Sequence, residues 1–469
     1  MGGDITNQIY PLTHEERIVT KEMLKEYYEK TFLDIISNLN GRKLHPLFGI
    51  ETEYHGVDSA FNPVPNAGKT VREAYSEVHE DCGTQMLELN SSPLCANSQG
   101  AVLCLDELLQ KEDIMRAIFA DKFDSQPLPI GILPTFSTDE DYGRFVPERR
   151  RAQLINPYIL EFMKPDDLVF FEEGTGKRIN YGKVAGGLFM NSLHISASGT
   201  DDRHSVLLYN IANALSGPMI ALAANSSVVD RKPITFEDGH LFVYEQNKEI
   251  VNGVPRVGNF PEYLDSLNDY FRAMLEFNPI FKFDEEKPVE SLHNHFSGTW
   301  PWVRAQVNDF YRVEFRSVPK QPTLIEDMAV SSMYLYSLLA LEEEMKGIRS
   351  TKDSVGKYCN KVLFPCEYLI SNSHAAARDG FDSKLAWGNG FAPAQQILQE
   401  LYGKAMDYMK RHDVGEDNIS ILKAIKPRID RCMNPSRKFR SSVKERGFEG
   451  AMEEYFDHTI NRRDTPYVN

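Results

Sequence analysis

Two glutamates stand two residues apart in Gly49-Ile50-Glu51-Thr52-Glu53-Tyr54, inside a run of alternating polarity over 47–58. Successive side chains of a strand point to opposite faces, so Glu51 and Glu53 share one face, about 6.5–7 Å apart along it. Two like charges so placed cost energy unless something positive sits between or beside them. More acids follow in apolar settings. Glu88 is flanked by Met86, Leu87 and Leu89, and Glu80 closes an acidic loop with Glu77 and Asp81. His194 lies in the apolar segment 190–196, and Glu314 sits between Arg312 and Arg316 at the same two-residue spacing. Buried carboxylates with an imidazole suit a hard divalent ion such as Mg²⁺ or Mn²⁺ far better than zinc. The interleaved arginines suit a phosphate or carboxylate held bidentately beside it. Each fragment alone has a plainer explanation: a solvated face, a satisfied core histidine, an internal ion-pair ladder. Those explanations weaken together, because the acids recur on successive strands in an otherwise apolar context.

The elements that must position these groups are legible in outline. Thr13 with Glu16 signals a capping box, followed at helical spacing by Ile18, Leu24, Tyr28, Phe32 and Ile35 and closed by Asn40-Gly41. The spacing predicts strands over 47–58 and 84–90, and a helix over 100–119 through Val102, Leu105, Leu109, Ile114 and Ile118. Segments 168–171 and 177–181 around Glu173-Gly174-Thr175-Gly176 read as a hairpin. The Gly-Thr-Gly-Lys inside it is no phosphate loop, because Arg178 follows Lys177 where a Ser or Thr is required. Strand 188–198 leads into helix 203–222, and strand 311–318 into helix 325–346. Candidate helices follow at 393–411, 417–426 and 441–457. The pattern is α+β, with no repeat or low-complexity linker to mark a boundary; the expected division is a catalytic core with an N-terminal helix over 1–345 and a helical C-terminal subdomain over 346–469 packed on that core.

Composition narrows the function. The 469 residues carry a net charge of −16, with 42% hydrophobic and 26% charged residues. That supports a sizeable core and excludes a disordered chain. The acidic balance argues against nucleic acid as a partner. Six cysteines (Cys82, Cys95, Cys104, Cys359, Cys366, Cys432) form no CxxC pair or zinc spacing and are expected as reduced thiols. Gly2 with Thr6 meets the loose myristoylation pattern. No uncharged apolar stretch reaches the roughly 18–20 residues of a membrane span, so a cytoplasmic protein without a membrane partner is expected.

Taken in order, Gly49-Ile50-Glu51-Thr52-Glu53, Glu80 with Glu88, Ser192-Leu193-His194-Ile195-Ser196 and Arg312-Val313-Glu314-Phe315-Arg316-Ser317 resemble the glutamine synthetase/glutamate–cysteine ligase superfamily. The likeness is closer to its carboxylate–amine ligase branch, of glutamate–cysteine ligase type. Ala223-Ala224-Asn225-Ser226-Ser227, Trp300-Pro301-Trp302-Val303-Arg304 and Arg149-Arg150-Arg151 before Tyr158 point there. The sequence departs from many relatives at Ser196, where they carry a second histidine, and at Ser226-Ser227, where they often have Ser-Pro.

The resemblance implies a glutamine-synthetase-like curved antiparallel sheet with flanking helices, ATP entering from one end and substrate from the other. On it, Glu53, Glu80 and Glu88 would hold one Mg²⁺ (or Mn²⁺), with Asp81 or Glu77 near enough to replace Glu80. Glu51, His194 and Glu314 would hold a second ion, next to the nucleotide. Arg304 and Arg312 would bind phosphate oxygens, and Arg316 the substrate carboxylate or the transferring phosphoryl group. The implied activity is an ATP-dependent carboxylate–amine ligase that forms an amide, γ-glutamyl in type, through an acyl phosphate. Its implied substrates are small molecules, glutamate and an amino acid such as cysteine, with a homo-oligomer left open. An ammonia ligase, a guanidino kinase and a non-catalytic binding protein are the alternatives on the same fold.

Overall fold

The structure, a computed structural model, describes residues 8–35, 47–96, 99–136, 142–162, 169–180, 186–245, 248–307, 310–345 and 364–468. Gly2, Thr6, Asn40, Gly41, Cys359 and hairpin positions 168 and 181 lie outside the described residues.

The alternating segments assemble into an eight-stranded sheet. Its strands are β1 (Leu47–Gly56), β2 (Val78–His79), β3 (Met86–Asn90), β4 (Leu94–Cys95), β5 (Pro127–Leu128), β6 (Ser192–Gly199), β7 (Val303–Val307) and β8 (Tyr311–Pro319). They run in the order β7-β8-β6-β1-β3-β2, with β4 and β5 also on β1, and every pairing is antiparallel. Residues directly opposite share a face, so the register decides which side chains meet. Glu51 faces His194 on one side and Asn90 on the other, while Glu53 faces Glu88. Arg304 faces Glu314, which in turn faces Ser196. The register shifts between Phe315 and Val318, an irregularity of the kind that re-aims a side chain beside a site, here Arg316.

Helices α2 (Gly100–Phe123), α3 (Asp202–Ala223) and α4 (Leu324–Glu344) pack on the other face. Beyond them lie α1 (His14–Tyr27), α5 (Ala394–Arg411) and α6 (Pro435–Asn461), which pack on other elements. The Thr13–Glu16 capping box forms, and α1 continues as a wider π turn over Tyr28–Phe32. Leu24, Tyr28 and Phe32 are buried, but Ile18 and Ile35 are exposed, contrary to the periodic reading. On α2 the buried stripe includes Ala101, Cys104, Leu108, Met115 and Phe119, one position before the stripe read from the sequence in the first half of the helix and one position after it in the second. Small residues at 101 and 104 let the helix approach closely, and the bulkier Val102, Leu105, Leu109 and Ile118 pack at the margin. Ile114 is exposed.

Helix α3 corrects the expectation that no uncharged apolar stretch is long enough to span a membrane; α4, of similar length, carries charged residues at its ends. Both pass by length and composition, with 94% of each apolar window buried inside the protein. They pack on each other behind the sheet, and α5 packs on α4. The C-terminal segment is not purely helical, because Lys384–Trp387 and Gly390–Pro393 form a hairpin. Its tight turn is opened by Gly388 at φ 56°, a left-handed conformation that glycine adopts without strain. One apolar cluster joins Leu24 and Ile50 to Leu401 and Ile429, and a second joins Val57 to Phe439, Tyr455 and Val468.

Candidate active site

The polar face of the sheet gathers the acids around one imidazole. His194 Nδ1 meets Glu51 Oε1 at 2.5 Å, and its Nε2 lies 3.9 Å from Glu53 Oε1. That Nε2 is buried without a hydrogen-bond partner among the described residues. The other Glu53 oxygen accepts the Ser192 backbone N–H at 2.5 Å, and Glu88 accepts the Asn90 amide at 2.6 Å. Ligand atoms of Glu51, Glu53 and His194 lie within 4.8 Å of one another, as do those of Glu53, Asp81 and Glu88. Glu53 belongs to both groups.

Charge in these two clusters is unbalanced. Burial, and then the neighbouring Asp81, Glu51 and Glu88, push the Glu53 carboxyl well above its ordinary value. Burial with Glu51 and Asp81 does the same to Glu88. Burial also raises Glu51, but His194 and Arg316 outweigh it and hold that carboxyl below the usual range. A divalent cation would relieve the first two. Oxygen ligands with one imidazole fit Mg²⁺ or Mn²⁺, and a carboxylate common to both groups fits two adjacent ions.

Glu80 is not brought into either cluster. It accepts from Arg72 Nη1 at 3.1 Å and lies 3.9 Å from Arg149 Nε. Asp81 stands with Glu53 and Glu88 instead, its backbone carbonyl accepting from Arg149 at 2.5 Å. Asp81→Asn is therefore expected to weaken Mn²⁺ binding about tenfold or more, while Glu80→Gln changes it less than about threefold, the scale separating a group in contact with the ion from one paired with arginines beside it. Titration calorimetry of both variants checks this, and the reverse order would make Glu80 the ligand.

Glu314 lies on the basic side of the same face. Its Oε2 accepts from Arg304 Nε at 2.7 Å and from Arg316 Nη1 at 3.1 Å. Burial opposes ionisation there, but Arg304, Arg316 and Arg312 together hold the carboxyl well below the usual range. The structure thus pairs Glu314 with arginines and does not bring it into the Glu51–His194 cluster. Arg316 also donates to the Tyr244 hydroxyl at 2.8 Å, and Arg312 is bonded to Gln306. An open cleft adjoins this arrangement, lined by Phe48, Glu51, Asn90, Ser196, Ser198 and Arg312 among others.

Tyr244 and His240 carry no periodic or motif signal and were not legible in the sequence. Both belong to the short helix Gly239–Tyr244, set by the Asp238 side chain accepting the His240 N–H. His240 meets Ser192 Oγ at 2.9 Å, and its pKa is pushed down to about 3 by burial, then by His194 and Arg316. A neutral imidazole there adds no further positive charge beside Arg316.

This ordering of carboxylates, histidine and arginines extends to the whole sequence. Residues 47–460 match glutamate-cysteine ligase family 2. The chain belongs to that family. No curated protein matches it. Among solved structures, glutamate–cysteine ligase from Francisella tularensis, in complex with AMP, is 13% identical with a TM-score of 0.59, covering 91% of each chain. A bifunctional glutathione synthetase from Pasteurella multocida is 12% identical with a TM-score of 0.48, covering 93% of this chain and 54% of its own. The Francisella likeness places the large antiparallel sheet and its helices in the glutamate–cysteine ligase fold. Membership of glutamate-cysteine ligase family 2 makes the protein an ATP-dependent ligase of carboxylates and amines.

Proposed function

We propose that the protein joins the γ-carboxylate of glutamate to the amine of an amino acid, cysteine or a close analogue. A carboxylate is a poor acyl donor, because its leaving group would be oxide. Attack of its oxygen on the γ-phosphorus of ATP breaks the phosphoanhydride bond and gives ADP and an acyl phosphate. The amine then attacks the acyl carbon, the carbon–oxygen bond to phosphate breaks, and phosphate leaves as the nitrogen loses its proton. No protein nucleophile is needed; positioning and charge stabilisation carry such a reaction.

The observation that supports this reading is the pair of carboxylate clusters sharing Glu53 beside the Arg304–Glu314–Arg316 ion pairs. Mg²⁺ or Mn²⁺ held by Glu51, Glu53, His194, Asp81 and Glu88 would screen the repulsion between triphosphate and substrate carboxylate. Arg304 and Arg312 serve the phosphate oxygens, Arg312 from the wall of the cleft. Arg316, braced by Glu314 and Tyr244, faces the acid or the phosphoryl group in transit. A cytoplasmic setting, with its supply of ATP, accompanies this reading.

ADP release measured with glutamate, with and without cysteine and with an ammonia control, tests the reaction. We expect ADP and a γ-glutamyl amide by mass spectrometry only when an amino-acid amine is present. Glutamine formed from ammonia alone would move the assignment to an ammonia ligase, and ATP consumed without any amide would overturn it. ATP binding is likewise expected to require Mg²⁺ or Mn²⁺; calorimetry showing the same nucleotide affinity in EDTA would remove the cation from the scheme.

A further inference from the structure

Glu51 and Glu53 alternate on β1 with Thr52 and Tyr54, which point to the opposite, helix-covered face. There Thr52 Oγ1 donates to Asp327 Oδ2 at 2.9 Å. Asp327 also takes the Lys320 ammonium, and both side chains are 0% exposed. Its other oxygen accepts the Gln321 backbone N–H at 3.0 Å, and Lys320 Nζ sits 4.4 Å over the Tyr54 ring. From Gln321 the chain of contacts continues. Arg428 donates to Gln321 Oε1 at 2.6 Å and to Glu326 Oε1 at 2.7 Å, again fully buried. A polar path therefore runs from the carboxylate-bearing strand through α4 to the C-terminal segment.

Charges this dry are a poor way to gain stability. Desolvating a lysine and an aspartate offsets most of their attraction, and apolar side chains of similar volume would fill the same space without that cost. What apolar packing lacks is direction. A strand slipped by one residue puts its whole set of side chains on the wrong face, and for β1 that removes both glutamates from the site. A hydrogen bond from Thr52 to a carboxylate fixed by Lys320 and by a backbone N–H specifies one position along the strand.

We propose that Thr52, Asp327 and Lys320 are positioning residues that set where Glu51 and Glu53 stand, and that Gln321 and Arg428 link this anchor to the C-terminal segment. The inference rests on reading those glutamates as cation ligands. Its test is Mn²⁺ titration calorimetry and thermal melting of the full chain as wild type, Thr52→Val and Thr52→Ser. Thr52→Val keeps the shape and loses only the hydroxyl, so Mn²⁺ affinity should fall about tenfold, the scale for a residue that orients a ligand. The melting temperature should stay within a few degrees, and Thr52→Ser should restore binding. If Thr52→Val melts early, Thr52→Ala against Thr52→Ser, titrated at a temperature where both are folded, makes the same comparison. Wild-type Mn²⁺ affinity in the variants lacking the hydroxyl overturns the proposal, as does wild-type protein that takes up no Mn²⁺. Wild-type protein that binds Mn²⁺ but forms no amide overturns the ligase reading instead, and leaves the positioning result standing.

Discussion

Glu53→Gln is expected to lower ATP-dependent turnover on the order of a thousandfold, the upper scale for loss of one preorganised electrostatic group. The same variant should melt at a higher temperature than wild type in EDTA. Both follow from Glu53 being common to the two clusters. Glutamine keeps the volume, and its carbonyl oxygen can still accept the Ser192 N–H that holds the side chain now. It removes the negative charge that both clusters share. In the protein without metal that charge is a liability, since burial, Asp81, Glu51 and Glu88 all oppose it. A neutral amide relieves the crowding, and active-site groups of this kind commonly trade stability for function. Added Mn²⁺ should raise the melting temperature of wild type by mass action and do little for the variant. A variant that turns over within about tenfold of wild type would show that Glu53 is not shared, and a lower melting temperature in EDTA would make it a structural carboxylate.

Much of this site was legible because strand geometry is local. Two-residue spacing places Glu51 with Glu53, and Arg312 with Glu314 and Arg316, on common faces without knowledge of the fold, and the strands form where the alternation is. Partnership across strands is not local. Nothing near Glu51 specifies His194 143 positions away, yet the register sets them opposite each other. The choice between Glu80 and Asp81 lies in a loop, where no periodicity fixes direction, and the structure turns Asp81 inward. Tyr244 and His240 depend on how one short helix docks against β8 and the segment before β6. The Trp387-Gly388-Asn389-Gly390 turn did carry a signal, glycine at a two-residue hairpin position, but short strands amid helices are easily read through. On α2 the apolar residues span more than one stripe, so periodicity alone could not choose between 101/104/108 and 102/105/109.

Glu314→Ala and Arg316→Ala are expected to fail in different ways. Glu314 is the common partner of Arg304 and Arg316, and its ionised form is held by three guanidinium groups despite burial. Its removal leaves two arginines close together with no carboxylate between them, in a setting too dry to screen their repulsion. On the proposed reading Arg304 then loses the partner that holds it for the nucleotide phosphates, so nucleotide affinity and turnover should collapse together. Arg316→Ala leaves the Arg304–Glu314 pair and every carboxylate of both clusters present, though Glu51 loses one of the two groups that favour its ionised form. Nucleotide binding should survive, while turnover falls on the order of a hundredfold or more with the loss of a fork-shaped donor to the acid or the phosphoryl group. Tyr244 offers a control on that assignment. It braces Arg316 at 2.8 Å and, among the described residues, makes no hydrogen bond to the clusters, so Tyr244→Phe should reproduce a weaker form of the Arg316→Ala defect with unchanged nucleotide affinity. The competing explanation, a ladder of ion pairs that merely stabilises the sheet, makes the opposite forecast. Both alanine variants would then melt early and, once folded, turn over normally; calorimetry with ATP and Mg²⁺ alongside single-turnover assays separates the two, and normal turnover per folded molecule would remove β8 from the chemistry.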